Sequence, residues 1–267
     1  GVTTGLTNQF KKWLPFTTTT ATTKEKEGGR QEEPATQFKR ELSVNIKNGT
    51  ARRRFWSSQP IPQPGEGDTE AQAGPLERNS PLSAKSAPVP SLPEDLYFDT
   101  LDLLNSSQLE EVFVLLRDHY IEDTDGIFRF QYSKQLIEWA SLVPGYKPEW
   151  FLGLREKSSG GQLVGYIMAT PATICVDKKQ LPMASIDFLT LRNDLRSQHL
   201  APLLIQEITR RVNLCGVWQA FFTAGSLVAK PLVTTRYYHR MLNPQKLIRL
   251  RFAKVLPGMT VDEMESW

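Results

Sequence analysis

Hydrophobic and polar positions change their spacing twice along the chain. Up to about residue 93 the apolar residues are sparse and are separated by threonine-rich, proline-rich and charged stretches. From Leu96 the pattern becomes that of a globular domain, with helical spacing from Leu109, and beyond Trp150 the apolar residues tend to alternate. Apolar residues at every third or fourth position predict amphipathic helices, whereas alternation predicts half-buried strands. The pattern therefore predicts a polar N-terminal arm followed by an α/β domain.

Two amphipathic helices are predicted early in this domain. The first carries its apolar residues on one face, begins with a capping box formed by Ser107 and Glu110, and should end near Arg117. The stretch SKQLIEWASL predicts a second helix, which begins after Ser133 and ends before Pro144.

Short strand candidates follow, rich in β-branched and aromatic residues. They are FLGLRE, LVGYIMA, TICV and SIDFLTL, separated by SSGG, TPA and DKKQLP. Short connections favour an antiparallel meander. A polar loop, RNDLRSQHLAP, then leads into a helix with Leu204, Ile208 and Val212 on one face, and WQAFFTAG predicts a further strand.

The region before this domain divides into two predicted segments. Residues 1–50 contain TTTTATT and KEKEGGRQEE, which bury too little apolar surface to offset the entropy of ordering, so they are predicted to be a disordered polar arm. Residues 51–93 are predicted to be a proline-rich docking segment, and residues 94–267 the folded domain. Phe55 and Trp56 form an aromatic island in ARRRFWSSQP, which predicts docking onto a folded body, with a loosely held surface tether as the alternative.

Composition excludes several classes of function. The chain has 267 residues, and 32 Lys and Arg against 29 Asp and Glu leave a net charge of +3, which argues against a histone-like binder. The runs ARRR and TRRV are a weak signal for nucleic-acid binding, because Arg210 and Arg211 lie on an amphipathic helix with no accompanying aromatic platform, so we predict no nucleic-acid partner. With two cysteines and three distant histidines we expect neither a disulfide scaffold nor a metal site. Without a secretory signal or a stretch of about 18 apolar residues, we expect a cytoplasmic protein with no transmembrane segment.

The order of the predicted elements resembles that of acyl-CoA-dependent N-acyltransferases of the GNAT superfamily. Their loop signature is Arg or Gln, two residues, Gly, one residue, then Gly or Ala. The run from Arg196 to Ala201 fits at its first and last positions, with His199 where glycine is usual. A helix N-terminus offers unpaired N–H groups and a partial positive charge, which suit a pyrophosphate. An ordinary strand-to-helix loop is the alternative for this motif alone.

Longer stretches of the sequence resemble one particular family of acyltransferases. FWSSQP, YIEDTDGIFRFQYS, IDFLTLRNDLRSQHLAPLLIQEITRRV, FFTAG and RYYHRMLNPQKLI resemble, in this order, the N-terminal half of N-myristoyltransferases (glycylpeptide N-tetradecanoyltransferases). The resemblance covers about Phe55 to Phe252. It implies an α/β fold with a GNAT-like mixed, mostly antiparallel sheet flanked by helices. It also implies transfer of a myristoyl group to the α-amine of N-terminal glycine peptides, as in lipoprotein biosynthesis, with myristoyl-CoA as the acyl-donor substrate and no permanently bound cofactor.

The resemblance also assigns roles to residues. It implies that the backbone amides of Phe188 and Leu189 stabilise the negative charge on the thioester oxygen during attack. The residues implied at the acyl-CoA site are Arg54, Phe55, Trp56, Leu189, Thr190, Leu191, Ser197, Gln198, His199, Leu200 and Ala201. The residues implied at the peptide groove are Tyr120, Asp123, Asp125, Phe128, Phe130, Thr223, Tyr237 and His239. From the residues alone, the acidic loop is more often a solvated turn, and His239 is more often a packed or surface histidine.

Several positions depart from the family pattern. Ser185, Asp187 and Thr190 replace Glu, Asn and Cys of the signature strand. Polar or acidic residues replace up to four cations of the following loop, at Asn193, Asp194, Gln198 and His199, which predicts weaker coenzyme binding. Asp187 could act as a substitute base, although pairing with a neighbour is the expected alternative.

The end of the chain also departs from the family. The family deprotonates the amine with its own C-terminal carboxylate, supplied by a second half. Because this chain stops at VDEMESW, the resemblance implies that Trp267 is not the equivalent terminus and that this chain alone transfers little acyl group. The alternative is a non-catalytic acyl-CoA-binding or partner-binding fragment whose exposed sheet edge pairs with another chain.

Overall fold

The computed structural model describes residues 55–63, 76–79, 92–122, 127–176, 178–196, 198–224, 230–231, 240–255 and 257–266. The chain divides into two compact units. One comprises Asp68–Glu122 and Arg129–Thr223, and the other comprises Gly1–Gly67, Asp123–Phe128 and Ala224–Trp267. The arm predicted for residues 1–50 lies outside the described residues, and the segment predicted for residues 51–93 is described only in part.

A five-stranded sheet forms the centre of the larger unit. Its strands are β1 (Leu96–Thr100), β2 (Phe151–Glu156), β3 (Gln162–Val176), β4 (Lys179–Leu191) and β5 (Gln219–Phe221), and they lie in this order across the sheet. The first four pair antiparallel, and β5 pairs parallel to β4. The sheet is therefore mixed and mostly antiparallel, which confirms the predicted fold class.

Three helices belong to the same unit as the sheet. They are α1 (Ser106–His119), α2 (Lys134–Ser141) and α3 (Leu200–Leu214), and short 3₁₀ turns occupy Pro148–Trp150 and Asn193–Leu195. Leu204, Ile208 and Val212 of α3 are buried in one cluster with the apolar residues of β2 and β3, as the helical spacing predicts. This packing removes the apolar face of α3 from water, which is the main source of stability for such a helix.

The smaller unit is described in pieces. It contains a helical turn at Phe55–Ser57, α4 (Pro244–Arg249) and α5 (Val261–Ser266). The rings of Phe128 and Phe252 meet edge to face with centroids 5.0 Å apart. The backbone N–H of Lys230 donates to the carbonyl oxygen of Pro62, over 3.0 Å, which ties the segment that follows the aromatic island to this unit.

The start of α1 differs from the prediction. The helix begins at Ser106, and Asn105 is its N-cap, because the Asn105 side chain accepts a hydrogen bond from the Ser107 backbone N–H. The Ser107 and Glu110 capping box is therefore wrong, and the Glu110 carboxylate pairs with Lys134 instead. In contrast, Ser133 caps α2 as predicted, since its hydroxyl accepts from the Leu136 N–H.

Two of the strands, β3 and β4, are longer than the alternation predicts. LVGYIMA and TICV belong to one strand, β3, and most of DKKQLP belongs to β4. Pro171 is tolerated within β3, because the pairing of β3 with β2 stops at Met168. The missing N–H of Pro171 therefore interrupts no pairing between these two strands. The strand β1 was not predicted, although its whole sequence, LYFDT, pairs with β2.

Candidate active site

The regular pairing of β3 with β4 is interrupted at one point near the end of β4. Tyr166 pairs with Thr190 and Met168 pairs with Asp187, so the single residue Ile167 lies opposite both Phe188 and Leu189. This is a β-bulge, in which one strand carries an extra residue and bends locally. The two bulged residues are the ones predicted to supply backbone amides.

The backbone of Phe188 adopts a left-handed conformation, with φ of +57°. A bulky residue rarely has positive φ, because its Cβ approaches the carbonyl oxygen at a cost of about 1–2 kcal/mol. Such conformations persist where the surrounding structure enforces them, and they concentrate at functional sites. The predicted role of the two amides requires a bend at residues 188 and 189, and the bulge together with the positive φ provides one.

The neighbouring strand on the other side stops short of the bulge. Within the described residues, β5 pairs with β4 only at Met183, Ala184 and Ser185. Phe188 and Leu189 therefore lie outside the regular pairing of β4 with β3 and with β5. A break in regular pairing is where a strand amide can turn towards a ligand, because a regularly paired amide is committed to its partner strand.

Aromatic side chains hold the bulge in place. The Phe188 side chain is buried and meets Tyr120, at the end of α1, and Tyr132, just before α2, with ring centroids 6.0 and 5.5 Å away. Phe130 lies 4.8 Å from Tyr132 in the same cluster. Edge-to-face contacts of this kind fix ring orientation as well as burying area.

The cluster includes one residue that the sequence reasoning missed. Tyr120 and Phe130 were both predicted at the peptide groove, and the structure brings them together with the bulge. Tyr132 is buried among them but was not predicted. The signal for it was present, because Phe128, Phe130 and Tyr132 alternate in the sequence FRFQY.

Asp187 lies immediately before the bulge. Its carboxylate accepts a hydrogen bond from the Ser185 hydroxyl over 2.9 Å, so the predicted pairing with a neighbour is confirmed. Burial raises the pKa of Asp187, and the Ser185 hydrogen bond opposes that rise without cancelling it. Burial is the largest cause that raises the pKa values of Tyr120 and Tyr132, so both phenols stay protonated at neutral pH. The charge of Asp187 is the second cause at Tyr120, and the neighbouring Tyr120 is the second cause at Tyr132.

Two arginines organise the loop between β4 and α3. Arg192 makes paired hydrogen bonds to Glu156, at 2.9 and 3.0 Å, and to Asp194, at 2.8 and 2.9 Å. These contacts lower the pKa of both carboxyl groups, with the Arg192 hydrogen bond as the largest cause. Arg196 donates to the carbonyl oxygens of His119 and Tyr120 at the end of α1, and its other nitrogen lies 3.6 Å from Glu122. Both arginines are thus held by this chain's own oxygens.

The loop ends at the N-terminus of α3. His199 is the N-cap residue, with φ of +57° and ψ of 25°, and its side chain makes no capping hydrogen bond. Leu200 is buried and Ala201 is half-buried, while Gln198 and His199 are exposed. The first-turn N–H groups therefore lack a side-chain cap from His199, and the helix dipole adds partial positive charge at the same end.

The other predicted site residues have different positions. Thr190 and Leu191 are buried at the end of β4, and the Thr190 hydroxyl donates to the carbonyl oxygen of Phe188, while Leu189 is 38% exposed. Thr223 is exposed just beyond β5. Phe55, Trp56 and Phe128 belong to the other compact unit, where Phe55 and Trp56 stack edge to face at 5.1 Å. The remaining predicted residues, Arg54, Asp123, Asp125, Ser197, Tyr237 and His239, lie outside the described residues.

Neither a metal centre nor a membrane-spanning helix is found in the described parts of the chain. No group of three or more His, Cys, Asp or Glu side chains there is close enough to hold a metal ion. None of the helices described above is both long and apolar enough to cross a bilayer.

Comparison with known proteins adds independent information. The family model described as "Myristoyl-CoA:protein N-myristoyltransferase, N-terminal domain" matches residues 75–235. A probable glycylpeptide N-tetradecanoyltransferase of Caenorhabditis elegans is 44% identical over 208 residues, which is 78% of this chain and 46% of that protein. Glycylpeptide N-tetradecanoyltransferase 2 of Danio rerio is 43% identical over 219 residues, or 82% of this chain and 44% of that protein.

Solved structures agree with these relatives. Saccharomyces cerevisiae N-myristoyltransferase with bound myristoyl-CoA superposes with a TM-score of 0.72 at 39% identity, covering 80% of this chain and 50% of that one. The chain spans about half the length of the curated relatives it matches.

Proposed function

Because the chain belongs to the myristoyl-CoA:protein N-myristoyltransferase family, we propose that it binds myristoyl-CoA and transfers the myristoyl group to the α-amine of an N-terminal glycine. The observation that carries this proposal is the bulge at Phe188 and Leu189. It combines an extra strand residue, a positive φ at a bulky side chain and the end of β5 pairing at Ser185. Bulges of this kind are over-represented next to active sites.

The bulge would stabilise the charge that develops during attack. When the amine adds to the thioester, the carbonyl oxygen becomes negatively charged. Two N–H groups held in place before the reaction stabilise that oxygen without reorganising at the moment of attack. The contacts of Phe188 with Tyr120 and Tyr132 support this role, since they hold the Phe188 ring and so restrict the backbone of the bulge.

The loop and the start of α3 would receive the coenzyme. The N-terminal amides of α3 suit a phosphate group. Arg192 and Arg196 lie in the same loop, but both already pair with carboxylates or carbonyl oxygens of the chain. A phosphate would have to compete with Asp194 for Arg192, which supports the expectation of weak coenzyme binding.

The acceptor peptide would approach from the aromatic cluster. Tyr120 and Phe130 lie beside the bulge through their contacts with Phe188 and Tyr132. Roles for Asp123, Asp125, Phe128, Thr223, Tyr237 and His239 in the peptide groove, and for Arg54, Phe55, Trp56 and Ser197 in the coenzyme site, rest on family membership alone.

The first test measures binding and turnover by the full chain. Isothermal titration with myristoyl-CoA should give saturable binding, and unacylated coenzyme A serves as the matched control for the acyl chain. Release of the coenzyme thiol is then followed with a glycine-initiated peptide and with the same peptide starting with alanine. Saturable binding with glycine-dependent release supports the proposal, and absence of saturable binding overturns it.

The second test isolates the backbone amide of Leu189. Leu189→Pro removes that N–H, whereas Leu189→Ala keeps it and removes only a partly exposed side chain. Loss of one such donor should slow transfer by roughly 100- to 1,000-fold in the proline variant. Circular dichroism and myristoyl-CoA titration check that both variants fold and bind. Equal turnover by folded proline and alanine variants would contradict the assignment.

A second candidate function is an acyl-CoA-binding or partner-binding module without turnover. The pairing of Arg192 with both Glu156 and Asp194 favours it, because it leaves the loop with less free positive charge. Beyond Ser185, the edge of β4 that faces away from β3 has no strand partner within the described residues, and it would then pair with another chain. Saturable myristoyl-CoA binding with no thiol release would identify this function.

The compartment follows from the donor. Coenzyme A thioesters are intracellular metabolites, so we place the chain in the cytoplasm, in lipoprotein biosynthesis. Cys175 and Cys215 are both exposed and unpaired, which supports a reducing compartment.

A further inference from the structure

The side chain of Thr190 is buried directly after the bulge. Thr190 is 4% exposed, and its hydroxyl donates a hydrogen bond to the carbonyl oxygen of Phe188 over 3.0 Å. A buried hydroxyl requires a partner, so burial alone would explain some hydrogen bond at this position. The acceptor makes this hydrogen bond different from others, because the Phe188 carbonyl belongs to the same peptide group as the Leu189 N–H.

One peptide group therefore carries both the oxygen that Thr190 holds and the N–H that is proposed to stabilise the thioester oxygen. A peptide group is planar and trans, so its C=O and N–H point in opposite directions and turn together. The group can rotate as a unit when ψ of Phe188 and φ of Leu189 change in opposite senses. A hydrogen bond that holds the Phe188 carbonyl oxygen therefore also fixes the direction of the Leu189 N–H.

Regular sheet pairing does not supply this restraint at the bulge. Phe188 and Leu189 lie outside the regular pairing of β4 with β3, and the pairing of β4 with β5 stops before them. The left-handed conformation of Phe188, at φ of +57°, is one that a bulky residue keeps only where contacts enforce it. The contacts with Tyr120 and Tyr132 act on the Phe188 ring, whereas the Thr190 hydrogen bond acts on the peptide group itself.

Burial makes the Thr190 hydrogen bond more effective. Water does not compete for a buried hydroxyl and carbonyl, so the hydrogen bond is stronger there than at the surface. A hydrogen bond to the oxygen of a peptide group also polarises that group, so its N–H becomes a better donor. The family pattern has cysteine at this position, and a thiol is a weaker donor than a hydroxyl. Thr190 is thus a feature of this chain that favours the Leu189 amide both in direction and in strength.

We propose that Thr190 is a positioning residue for acyl transfer. Its hydroxyl holds the peptide group between Phe188 and Leu189 in the orientation that directs the Leu189 N–H at the thioester oxygen. The inference rests on the proposed function, because it assigns a residue to that reaction. In this role the hydroxyl acts through the peptide group and not by contact with the substrates.

The test compares three variants at position 190 in the full chain. Thr190→Val removes the hydroxyl and keeps a β-branched side chain of the same shape, whereas Thr190→Ser keeps the hydroxyl. Thr190→Cys replaces the hydroxyl with a weak donor, and it provides the comparison if the valine variant does not fold. Thr209→Val is the matched control, because the Thr209 hydroxyl also donates to a main-chain carbonyl, that of Ile205, over 2.7 Å, but at an exposed position of α3. Circular dichroism and myristoyl-CoA titration of each variant are measured first, so that folding and the proposed function are assessed separately.

The first readout needs no ligand. The dipeptide Phe–Leu occurs twice in the chain, at residues 151–152 and 188–189, so protein labelled with ¹³C at the phenylalanine carbonyls and ¹⁵N at leucine gives two signals from directly bonded pairs. Leu189→Ala identifies the signal of the bulge by its loss, and the pair in β2 is the internal reference. In weakly aligned protein, the residual dipolar coupling of the Leu189 N–H reports its direction. This coupling should change in Thr190→Val and stay the same in Thr190→Ser and Thr209→Val.

The second readout is acyl transfer from myristoyl-CoA labelled with ¹³C at the thioester carbonyl. The infrared stretch of this carbonyl moves to lower frequency when its oxygen accepts hydrogen bonds, and the movement on binding should be smaller in Thr190→Val. The same variant should lower kcat about threefold to tenfold with an unchanged KM for a glycine-initiated peptide, as expected for the loss of one neutral hydrogen bond. Thr190→Ser should restore both values. A merely structural role would lower Tm without changing the carbonyl band.

Each outcome has a distinct meaning. An unchanged Leu189 coupling in folded Thr190→Val overturns the inference, and so do an equal kcat and an equal carbonyl band in Thr190→Val and the unmodified chain, even where myristoyl-CoA binds. A changed coupling in a chain that binds no myristoyl-CoA supports the restraint on the peptide group and overturns the proposed function alone.

Discussion

Replacing His199 with glycine should stabilise the protein. His199 is the N-cap of α3, its backbone is left-handed at φ of +57°, and its exposed side chain makes no capping hydrogen bond. Glycine would remove a backbone cost of about 1–2 kcal/mol for a Cβ in this region. It would also make the unfolded chain more flexible, which costs roughly 0.4–1 kcal/mol. The net expectation is a gain of about 0.5–1 kcal/mol in the free energy of unfolding.

The assay is thermal and urea unfolding followed by circular dichroism. For an ordered part of this size, the gain corresponds to an increase in Tm of roughly 1–4 °C. Two controls separate the backbone effect from the loss of the imidazole. His199→Ala keeps the Cβ and should show no gain, while Gln206→Gly, at an exposed position inside α3, should lose about 1 kcal/mol. If His199→Gly destabilised the protein as much as Gln206→Gly, the left-handed cap would be refuted.

Other predictions test the packing and the charges of the same unit. Leu204→Ala, at a fully buried position of α3, should lower the unfolding free energy by about 2–5 kcal/mol in urea titrations, and the partly exposed Leu214→Ala much less. Gly165→Ala would place a Cβ 2.9 Å from Leu191 and 3.1 Å from Leu154, so it should cost roughly 1–3 kcal/mol; an unchanged Tm would show that the strands can separate locally. Asp187→Asn should stabilise the chain at neutral pH. Because the folded-state pKa of Asp187 is raised, the free energy of unfolding of the wild-type chain falls as pH rises from 3.8 to that pKa. The difference between the two proteins should therefore vanish below pH 3.8, and a difference that persists there would refute the linkage. Asp194→Asn removes one partner of Arg192 and should tighten myristoyl-CoA binding with a steeper salt dependence, whereas unchanged affinity would show that Arg192 does not contact the coenzyme.

Local sequence signals predicted the helices better than the strands. The apolar face of α3 and the Ser133 cap of α2 are set by residues within one or two turns, so periodicity and capping chemistry are sufficient to identify them. The predicted capping box at Ser107 was wrong because Asn105, two residues earlier, is also a good N-cap residue. Local rules do not decide between two cap residues that lie so close together. The break predicted at TPA failed because a proline is tolerated in β3 where no strand pairs on that side.

The candidate site shows the same division. The sequence located Phe188 and Leu189 through resemblance, and it required a bend there, but the form of the bend depends on pairing with Tyr166 and Met168 some 20 residues earlier. The loss of loop cations at Asn193 and Asp194 was readable from the sequence. Only the structure shows that Asp194 also pairs with Arg192, because it places the carboxylates of Glu156 and Asp194 against the same guanidinium group.

The sequence by itself determined the α/β class, the helical faces, the family and the positions of the bulged residues. These depend on composition, on short-range periodicity and on long runs of similar residues. Only the tertiary structure decided the register of β3 against β4, the meeting of Tyr120, Tyr132 and Phe188, and the isolation of the Asp187 carboxylate from any described cation. The physical reason is that burial, pairing register and charge neutralisation are properties of contacts between distant segments, and no local pattern specifies which distant side chain will fill a given space.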